Sequence, residues 1–202
     1  IISEQKAKRK SELKALQSQI NPHFLYNTLD SIIWMAEGKK NEEVVLMTAS
    51  LARLLRQNIS NEDEEILIYQ EVEYCKNYLT IQKMRYQDKL EFEIQVEPSI
   101  GNEKIIKLVL QPLIENAIYH GLKYKESKGF LLIRGYEQDG NILFEIQDNG
   151  VGMSEETLNH IFEKHTVNYR SNGVGVYNVQ KRIQLTYGPE YGISYTSVQG
   201  EG

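Results

Sequence analysis

Two groups of polar residues that suit phosphoryl-transfer chemistry stand in a fixed order along the chain. The first group is centred on His23, in the run Asn21-Pro22-His23-Phe24-Leu25-Tyr26-Asn27, where an imidazole nitrogen could act as a nucleophile. The second group comprises Glu115-Asn116 with His120-Gly121, then Asp148-Asn149-Gly150-Val151-Gly152, then Gly173-Val174-Gly175. This order puts a candidate nucleophile ahead of a candidate nucleotide pocket.

Asn116 and its neighbours are candidates for binding a divalent cation. On a helix, Asn116 and His120 are four residues apart and share a face, while Glu115 lies about 100° around the axis. An amide oxygen beside a carboxylate suits Mg²⁺, which takes one or two protein oxygens and otherwise keeps water and phosphate oxygens. Without the other motifs, Asn116 would be interpreted as an exposed or capping amide.

Asp148 and the glycines around it are candidates for contacts with a nucleotide. Asp148 directly follows a predicted strand, and Gly150 and Gly152 leave the backbone free to approach a flat ring. A buried carboxylate at that point can accept a hydrogen bond from an exocyclic amine. On its own, however, an Asp-x-Gly-x-Gly run is more often a tight turn.

Gly173 and Gly175 precede a helix that we predict to begin at Val176. A glycine-rich loop that leads into a helix presents free backbone amides and the positive end of the helix dipole to phosphate groups. The two glycines are therefore candidate phosphate contacts.

The elements that must position these residues are helical at first. Apolar residues at Leu13, Leu16, Ile20 and Phe24 step by three or four, which predicts an amphipathic helix with a kink at Pro22 and an end at Gly38. A second stripe, formed by Val44, Met47, Leu51 and Leu54, predicts an antiparallel return. Two helices cannot bury both stripes, so we expect two hairpins to pair as a four-helix bundle in a homodimer.

The acidic stretch from Ser60 to Glu65 predicts a boundary between a helical domain, residues 1–62, and a second domain, residues 63–202. Periodicity in the second domain predicts helices at 69–86, 107–119, 154–162 and 176–187, and strands at 90–96, 130–136 and 142–147. The fold class is therefore α+β: a helical hairpin followed by a two-layer α/β domain with its helices on one face of the sheet.

Composition and charge exclude several functions. The 202 residues carry a formal net charge of −5, whereas nucleic-acid binding needs a basic face, so no nucleic-acid partner is expected. Cys75 is the single cysteine, so neither an intrachain disulfide nor a thiolate metal cluster can form, and a reducing compartment fits. No run approaches the roughly 20 apolar residues of a membrane-spanning helix.

Together the motifs resemble those of a known family. Asn116, Asp148 and the two glycine clusters look like the N, G1 and G2 boxes of the GHKL (Bergerat) ATP-binding fold, and the run from Asn21 to Asn27 resembles the phosphoacceptor box of LytS/YesM-type sensor histidine kinases. Three further runs are typical of that subfamily: Tyr78-Leu79-x-Ile81-Gln82-x-x-Arg85, Gln111-Pro112-Leu113-Ile114-Glu115-Asn116-Ala117 and Asn178-Val179-x-x-Arg182.

This resemblance implies the roles of several residues. His23 would accept the γ-phosphoryl group of ATP, Asn116 would help to hold Mg²⁺, and Asp148 would bind the adenine. Asn27, one turn after His23, resembles the amide that orients water for phosphatase activity in other histidine kinases. The phosphoryl group would then pass to the receiver domain of a response regulator, and the chain would be the cytoplasmic domain of a membrane protein with an embedded sensor region.

The sequence departs from the family pattern at several positions. Many histidine kinases have an acidic residue directly after the phosphoacceptor, whereas Phe24 stands here, so the activating group is unidentified. Tyr119 replaces the lysine that is common before His120, which makes Lys123 or Arg182 the candidate source of positive charge for the phosphates. The customary final strand is also missing after Gly202.

Two alternative functions stay open on the sequence. One is a GHKL ATPase or conformational clamp, in which Glu115 would activate water, although such proteins lack a histidine-bearing dimerisation helix. The other is a degenerate kinase that serves as an ATP-binding dimer scaffold, which the intact Asn116 and Asp148 disfavour. His23 could likewise be a histidine at the edge of an apolar stripe, but the preceding Pro22 indicates a special site.

Overall fold

The computed structural model describes residues 22–59, 65–162 and 174–202. The helices are α1 (Pro22–Glu37), α2 (Asn41–Ile59), α3 (Ile68–Tyr86), α4 (Leu110–Asn116), α5 (Glu155–Asn159) and α6 (Val174–Tyr187), with a π-helical turn at Ala117–Leu122. The strands are β1 (Glu65–Leu67), β2 (Leu90–Val96), β3 (Lys104–Ile106), β4 (Gly129–Gln138) and β5 (Asn141–Asp148). None of the described helices combines the length and the apolar character that crossing a membrane requires.

Helices α1 and α2 form the predicted helical hairpin. Helix α1 ends at Glu37, and a turn through Gly38 and Lys39, with Lys39 at a φ of 56°, leads into α2. The predicted apolar stripe of α2 is confirmed, because Met47, Leu51 and Leu54 are all buried. The earlier stripe from Leu13 to Ile20 lies outside the described residues, as does the part of the chain where a kink before His23 was expected.

Helix α3 connects the hairpin with the rest of the molecule. It packs against α2 on one side and against β2 and α4 on the other. The ring of Phe24 on α1 lies against the ring of Tyr78 on α3, with centroids 5.1 Å apart. The domain boundary at residues 62 and 63 lies outside the described residues and stays a prediction.

The main sheet has three strands in the order β2-β4-β5. β2 pairs in parallel with β4, and β4 pairs antiparallel with β5 across the predicted turn at Asp139-Gly140. The side chains of Leu131 and Ile133 point into the core shared with α3 and α4, and this register puts Asp148 opposite Leu131 at the end of β5. A separate two-stranded sheet is formed by β1 and β3. The α+β fold class is confirmed.

The predicted helix at residues 107–119 differs most from the structure. Strand β3 takes residues 104–106, and Leu108 has a φ of 60°, which a helix cannot contain, so α4 begins only at Leu110. Beyond Asn116 the helix widens into the π-helical turn, in which the Lys123 N–H donates to the Ile118 carbonyl at 2.8 Å. The predicted helix at 154–162 is likewise shorter, because α5 ends at Asn159.

Candidate active site

His23 is exposed on α1, and the side chain of Asn27 lies against its imidazole. The amide Nδ2 of Asn27 is 3.0 Å from Nδ1 and 3.2 Å from Nε2 of His23, one helical turn away. Phe24, which occupies the position of the missing acidic residue, is buried in the core. The structure therefore identifies Asn27 as a group that can orient the ring.

Asp148 and Gly121 bring the end of the π-helical turn into contact with the loop after β5. The Gly150 N–H donates to Oδ1 of Asp148 at 2.9 Å, and the Val151 N–H donates to the Gly121 carbonyl at 3.1 Å. A Cβ atom on Gly121 would collide with the Asp148 carboxylate, and one on Gly150 would collide with the Gly121 backbone. The sequence analysis included Gly121 in the candidate pocket without giving it a role, and the structure places it against Asp148.

The surroundings of Asp148 favour its neutral form. Burial raises the pKa of Asp148, while the Gly150 N–H and the Lys125 ammonium group oppose that shift. Lys125 donates to the backbone carbonyl of Asn149, which lies beside the carboxylate. The side chain of Asn149 accepts from the Phe130 N–H at 2.7 Å, so this residue extends the pairing of β4 with β5.

Asn116 is the last residue of α4, and Tyr195 connects it with Asp148. The Asn116 side chain lies close enough to the Tyr195 hydroxyl group to act on its pKa. Burial raises the pKa of Tyr195 to about 12, and the nearby Asp148 carboxylate acts in the same direction. Asn116 and Asp148, predicted separately from two motifs, therefore lie on one site. Tyr195 is a residue that the sequence analysis did not assign.

Glu115 lies on the side of α4 that faces α3. Its carboxylate accepts from Nε2 of Gln111 at 2.7 Å, and burial raises its pKa. The charge of Glu115 also acts on Tyr78, which is buried in α3. Across the described ranges, no group of three or more His, Cys, Asp or Glu side chains could hold a metal ion. Asn116 thus remains the protein oxygen donor to be tested for Mg²⁺.

His120 and Lys123 follow at the π-helical turn. Burial, assisted by the charge of Lys123, lowers the pKa of His120, so the imidazole is neutral at pH 7. Lys123 is exposed, and its ammonium group lies 5.6 Å from the ring centroid of Tyr124. Lys123 is thus a cation that faces solvent at this turn, whereas the neutral His120 can offer only a hydrogen bond.

Of the remaining glycines, Gly152 lies in the loop after β5 and Gly175 lies on α6. Gly152 has a φ of 63°, in the left-handed region that other residues rarely adopt, and a Cβ atom there would collide with the Val198 carbonyl. Gly175 lies in the first turn of α6, where an added Cβ would be 3.9 Å from Cβ of Pro112. Gly173 lies outside the described residues.

Arg182 is buried and faces the loop before α4. Its guanidinium group donates to the Leu108 carbonyl at 3.0 Å and also to the Lys107 carbonyl. The relative exposure of Arg182 is 3%. The structure therefore does not bring Arg182 together with Lys123 at the surface, where the sequence analysis had made both of them candidates for phosphate contacts.

Comparison with known proteins agrees with this arrangement. A family model described as "Histidine kinase" matches residues 11–90, and one described as "Histidine kinase-, DNA gyrase B-, and HSP90-like ATPase" matches residues 101–202. The chain belongs to this ATPase family. Its resemblance to the LytS/YesM type of sensor histidine kinase, expected from the motifs, is confirmed by the relatives described next.

Two relatives cover nearly all of the chain. It is 36% identical over 194 residues to the sensor histidine kinase YesM of Bacillus subtilis (strain 168). The matched region covers 96% of this chain and 32% of YesM. It is 32% identical to the sensor protein LytS of Oceanobacillus iheyensis, covering 87% of this chain and 30% of LytS. The chain thus spans about a third of the length of the curated relatives it matches.

A solved structure described as the Acinetobacter baumannii histidine kinase AdeS is 20% identical, with a TM-score of 0.44. That match covers 87% of this chain and 85% of the solved chain.

Proposed function

We propose that the chain is the kinase portion of a two-component sensor, which phosphorylates itself on His23 at the expense of ATP. The observation that carries the proposal is the contact between Gly121, Asp148 and Gly150, which joins the Asn116 helix to the loop after β5. This contact fixes the half-buried Asp148 carboxylate beside the Asn116 helix, where it can accept a hydrogen bond from a purine amine. The family relationship and the exposed His23 support the same function.

In this proposal Asp148 recognises the adenine. Its Oδ1 accepts from the Gly150 N–H, so Oδ2 is directed to the exocyclic amine. The Gly121 and Gly150 backbones pack against each other and against the Asp148 carboxylate, because neither residue has a side chain that would push these groups apart. Gly152, Gly173 and Gly175 would line the path of the phosphates, and Lys123 would add positive charge there.

Asn116 would contribute an amide oxygen to Mg²⁺, with His120 and Glu115 near it on the same segment. When bound, the ion neutralises charge on the phosphate oxygens and aligns the terminal phosphate. Asn116 fits this role because amide oxygens are hard ligands. We assign Arg182 no contact with phosphate, because its guanidinium donates to two buried carbonyl groups.

The reaction would take place at one ring nitrogen of His23. That nitrogen attacks the γ-phosphorus, a nitrogen–phosphorus bond forms, and the bond to the β–γ bridging oxygen breaks with ADP leaving. The Asn27 amide, which lies against the ring, would restrict its rotation, and the proton on the other ring nitrogen would pass to solvent once the nitrogen–phosphorus bond has formed. The phosphoryl group would then pass to an aspartate carboxylate of a response-regulator receiver domain.

Incubation with γ-labelled ATP and Mg²⁺ tests this function. Wild-type protein should acquire label that is lost in acid and kept in alkali, as phosphohistidine is, while His23→Gln and Asp148→Asn should acquire none. Asn102→Gln, a change in an exposed loop, is the matched control and should label normally. ATP hydrolysis without labelled protein, or acid-stable label, would contradict the proposal.

The proposal extends to the assembly and the location of the full-length protein. Exposed apolar side chains on α1 support a homodimer that pairs two hairpins, and the names of the relatives support a sensor region elsewhere in the polypeptide, which we propose to be embedded in a membrane. This chain would then face the cytoplasm. Fractionation of cells that express the full-length protein tests the location, because recovery only in the soluble fraction would contradict it.

A further inference from the structure

Glu71 is a buried carboxylate to which the sequence motifs assign no role. It lies in the first turn of α3 with a relative exposure of 1%, far from the surface and from any bulk counterion. A buried carboxylate is unfavourable unless its oxygens are fully hydrogen-bonded, so its partners indicate why it is there.

The partners of Glu71 are three consecutive backbone N–H groups at the start of α4. Oε2 accepts from Leu108 at 3.0 Å, and Oε1 accepts from Val109 at 2.9 Å and from Leu110 at 3.0 Å. These are donors that a helix leaves unsatisfied at its first turn, and here a residue from another helix satisfies them. Burial raises the pKa of Glu71, and the three N–H donors, which suit an ionised carboxylate because it has no proton to donate, oppose that shift.

Helix α6 holds the same loop from its other side. Arg182 donates to the Lys107 and Leu108 carbonyls, and the hydroxyl of Tyr187 accepts from the Ile106 N–H at 2.9 Å. Six backbone groups between β3 and α4 are thus bonded by three side chains from α3 and α6. Glu71 and Arg182 also attract each other, because each lies within range of the other's charge.

The loop needs these restraints because its backbone is strained. Leu108 has a φ of 60°, a conformation that a non-glycine residue adopts only when the surroundings determine it. Helix α4, which follows at once, has only seven residues and ends at Asn116. A helix of two turns transmits any shift of its first turn to its last, so the position of the loop sets the position of the Asn116 side chain.

We propose that Glu71 is a positioning residue, which together with Arg182 clamps the loop at residues 107–109 and thereby sets Asn116 for the Mg²⁺-bound nucleotide. The inference rests on the proposed function, because it takes Asn116 as the magnesium ligand. Asp148 lies at the end of β5, outside the clamped segment, so adenine recognition should not depend on Glu71.

Glu71→Gln is the most informative change. Glutamine keeps the size of the side chain but replaces one acceptor oxygen by an NH₂ group. This group would face the N–H group of Leu108 or of Val109, and because both groups are donors, they cannot form a hydrogen bond. We expect the dissociation constant for ADP in the presence of Mg²⁺ to rise about tenfold, whereas the constant measured in EDTA stays within about twofold. Glu71→Asp keeps both acceptor oxygens on a shorter side chain. Its dissociation constant for ADP in the presence of Mg²⁺ should lie between those of the wild type and of Glu71→Gln.

Hydrogen exchange provides a readout that needs no nucleotide. In Glu71→Gln the amides of residues 108–116 should lose protection, while those of β4 and β5 should keep it. Glu73→Gln, on the exposed side of α3, is the matched control and should change neither property. Ile81→Val, a buried truncation in the same helix, should lower the melting temperature without changing the effect of Mg²⁺ on affinity.

The outcomes separate the two proposals. If wild-type protein binds ADP, but Glu71→Gln shows the same effect of Mg²⁺ and the same exchange at 108–116, the positioning role is wrong while the proposed function stands. An equal loss of affinity with Mg²⁺ and in EDTA would also contradict it, because that indicates general destabilisation. If wild-type protein binds no adenine nucleotide, the proposed function fails and the inference fails with it.

Discussion

Phe24 and Tyr78 stack against each other in the core, with ring centroids 5.1 Å apart and ring planes inclined by 31°. Phe24 follows His23 directly, and Tyr78 lies on α3, where the Gln82 amide donates to its hydroxyl at 2.6 Å. Gln82 also lies 3.4 Å from the hydroxyl of Tyr119, the residue before His120. A continuous buried contact therefore runs from the candidate phosphoacceptor to the candidate nucleotide site.

Removing the Phe24 ring should weaken the attachment of the hairpin to α3. We expect Phe24→Ala to lower the free energy of unfolding by about 3 kcal/mol, because it leaves a cavity against Tyr78. Urea denaturation followed by circular dichroism measures this change. Tyr69→Ala on the exposed side of α3 should have a much smaller effect, and equal losses in the two variants would contradict the role of the contact.

Replacing Asp148 should make the nucleotide-free protein more stable at neutral pH. Burial raises the pKa of Asp148 above 3.8, so the folded state binds more protons than the unfolded state as pH rises through that range. Stability then falls with rising pH, and the loss is complete above the folded pKa. Asp148→Asn removes the charge, and its melting temperature at pH 7.5 should exceed that of the wild type.

This gain should shrink as pH falls toward 3.8, because the carboxyl group of the wild type becomes increasingly protonated in the folded and then in the unfolded state. Glu126→Gln, in an exposed loop, is the control for the general removal of a carboxylate. Thermal melts of the wild type, Asp148→Asn and Glu126→Gln between about pH 3.5 and 8 measure how the melting temperature depends on pH. This range includes the pKa of an ordinary carboxyl group, which is roughly 4. A lower melting temperature for Asp148→Asn at pH 7.5 would contradict the assignment.

A methyl group on Gly121 should disrupt the site more than the fold. Gly121→Ala would push the Asp148 carboxylate away and separate it from Gly150, so we expect the affinity for ADP to fall by roughly tenfold or more. Isothermal titration calorimetry measures the affinity. Gly101→Ala, where the nearest atom would be 3.4 Å away and φ is −59°, should bind normally. Unchanged binding by Gly121→Ala would show that the pocket lies elsewhere.

The exposed apolar face of α1 should mediate dimer formation. Tyr26, Leu29 and Ile33 step by three and four residues, and each is about half exposed or more, so they form a stripe on the side of α1 away from Phe24. We expect Ile33→Glu to convert a dimer into a monomer, because a charge in an apolar interface loses its hydration. Sedimentation equilibrium measures the change, with Asn102→Glu as a control of equal charge. A dimer that persists in Ile33→Glu would contradict this interface.

Local patterns predicted much of this molecule. The hairpin, α3 and the strands β2, β4 and β5 follow from periodicity, because each buries one face against the core. The meeting of Asn116 with Asp148 was also expected from the motifs. The Glu71 contacts could not be predicted, because they join residues 37 to 39 positions apart and leave no local pattern. Arg182 was a candidate for phosphate contacts, as the alternative to Lys123, because the sequence does not show that its guanidinium group is buried.

The π-helical turn at Ala117–Leu122 has a consequence for insertions and deletions. Such a turn holds one residue more than the α-helical register around it requires, and here it brings Gly121 against Asp148. Removing any one residue from it would restore an ordinary α-helix and rotate everything downstream by about 100°. Sequence length in this segment is therefore as constrained as residue identity, whereas the hairpin turn at Asp139-Gly140 can change length at little cost.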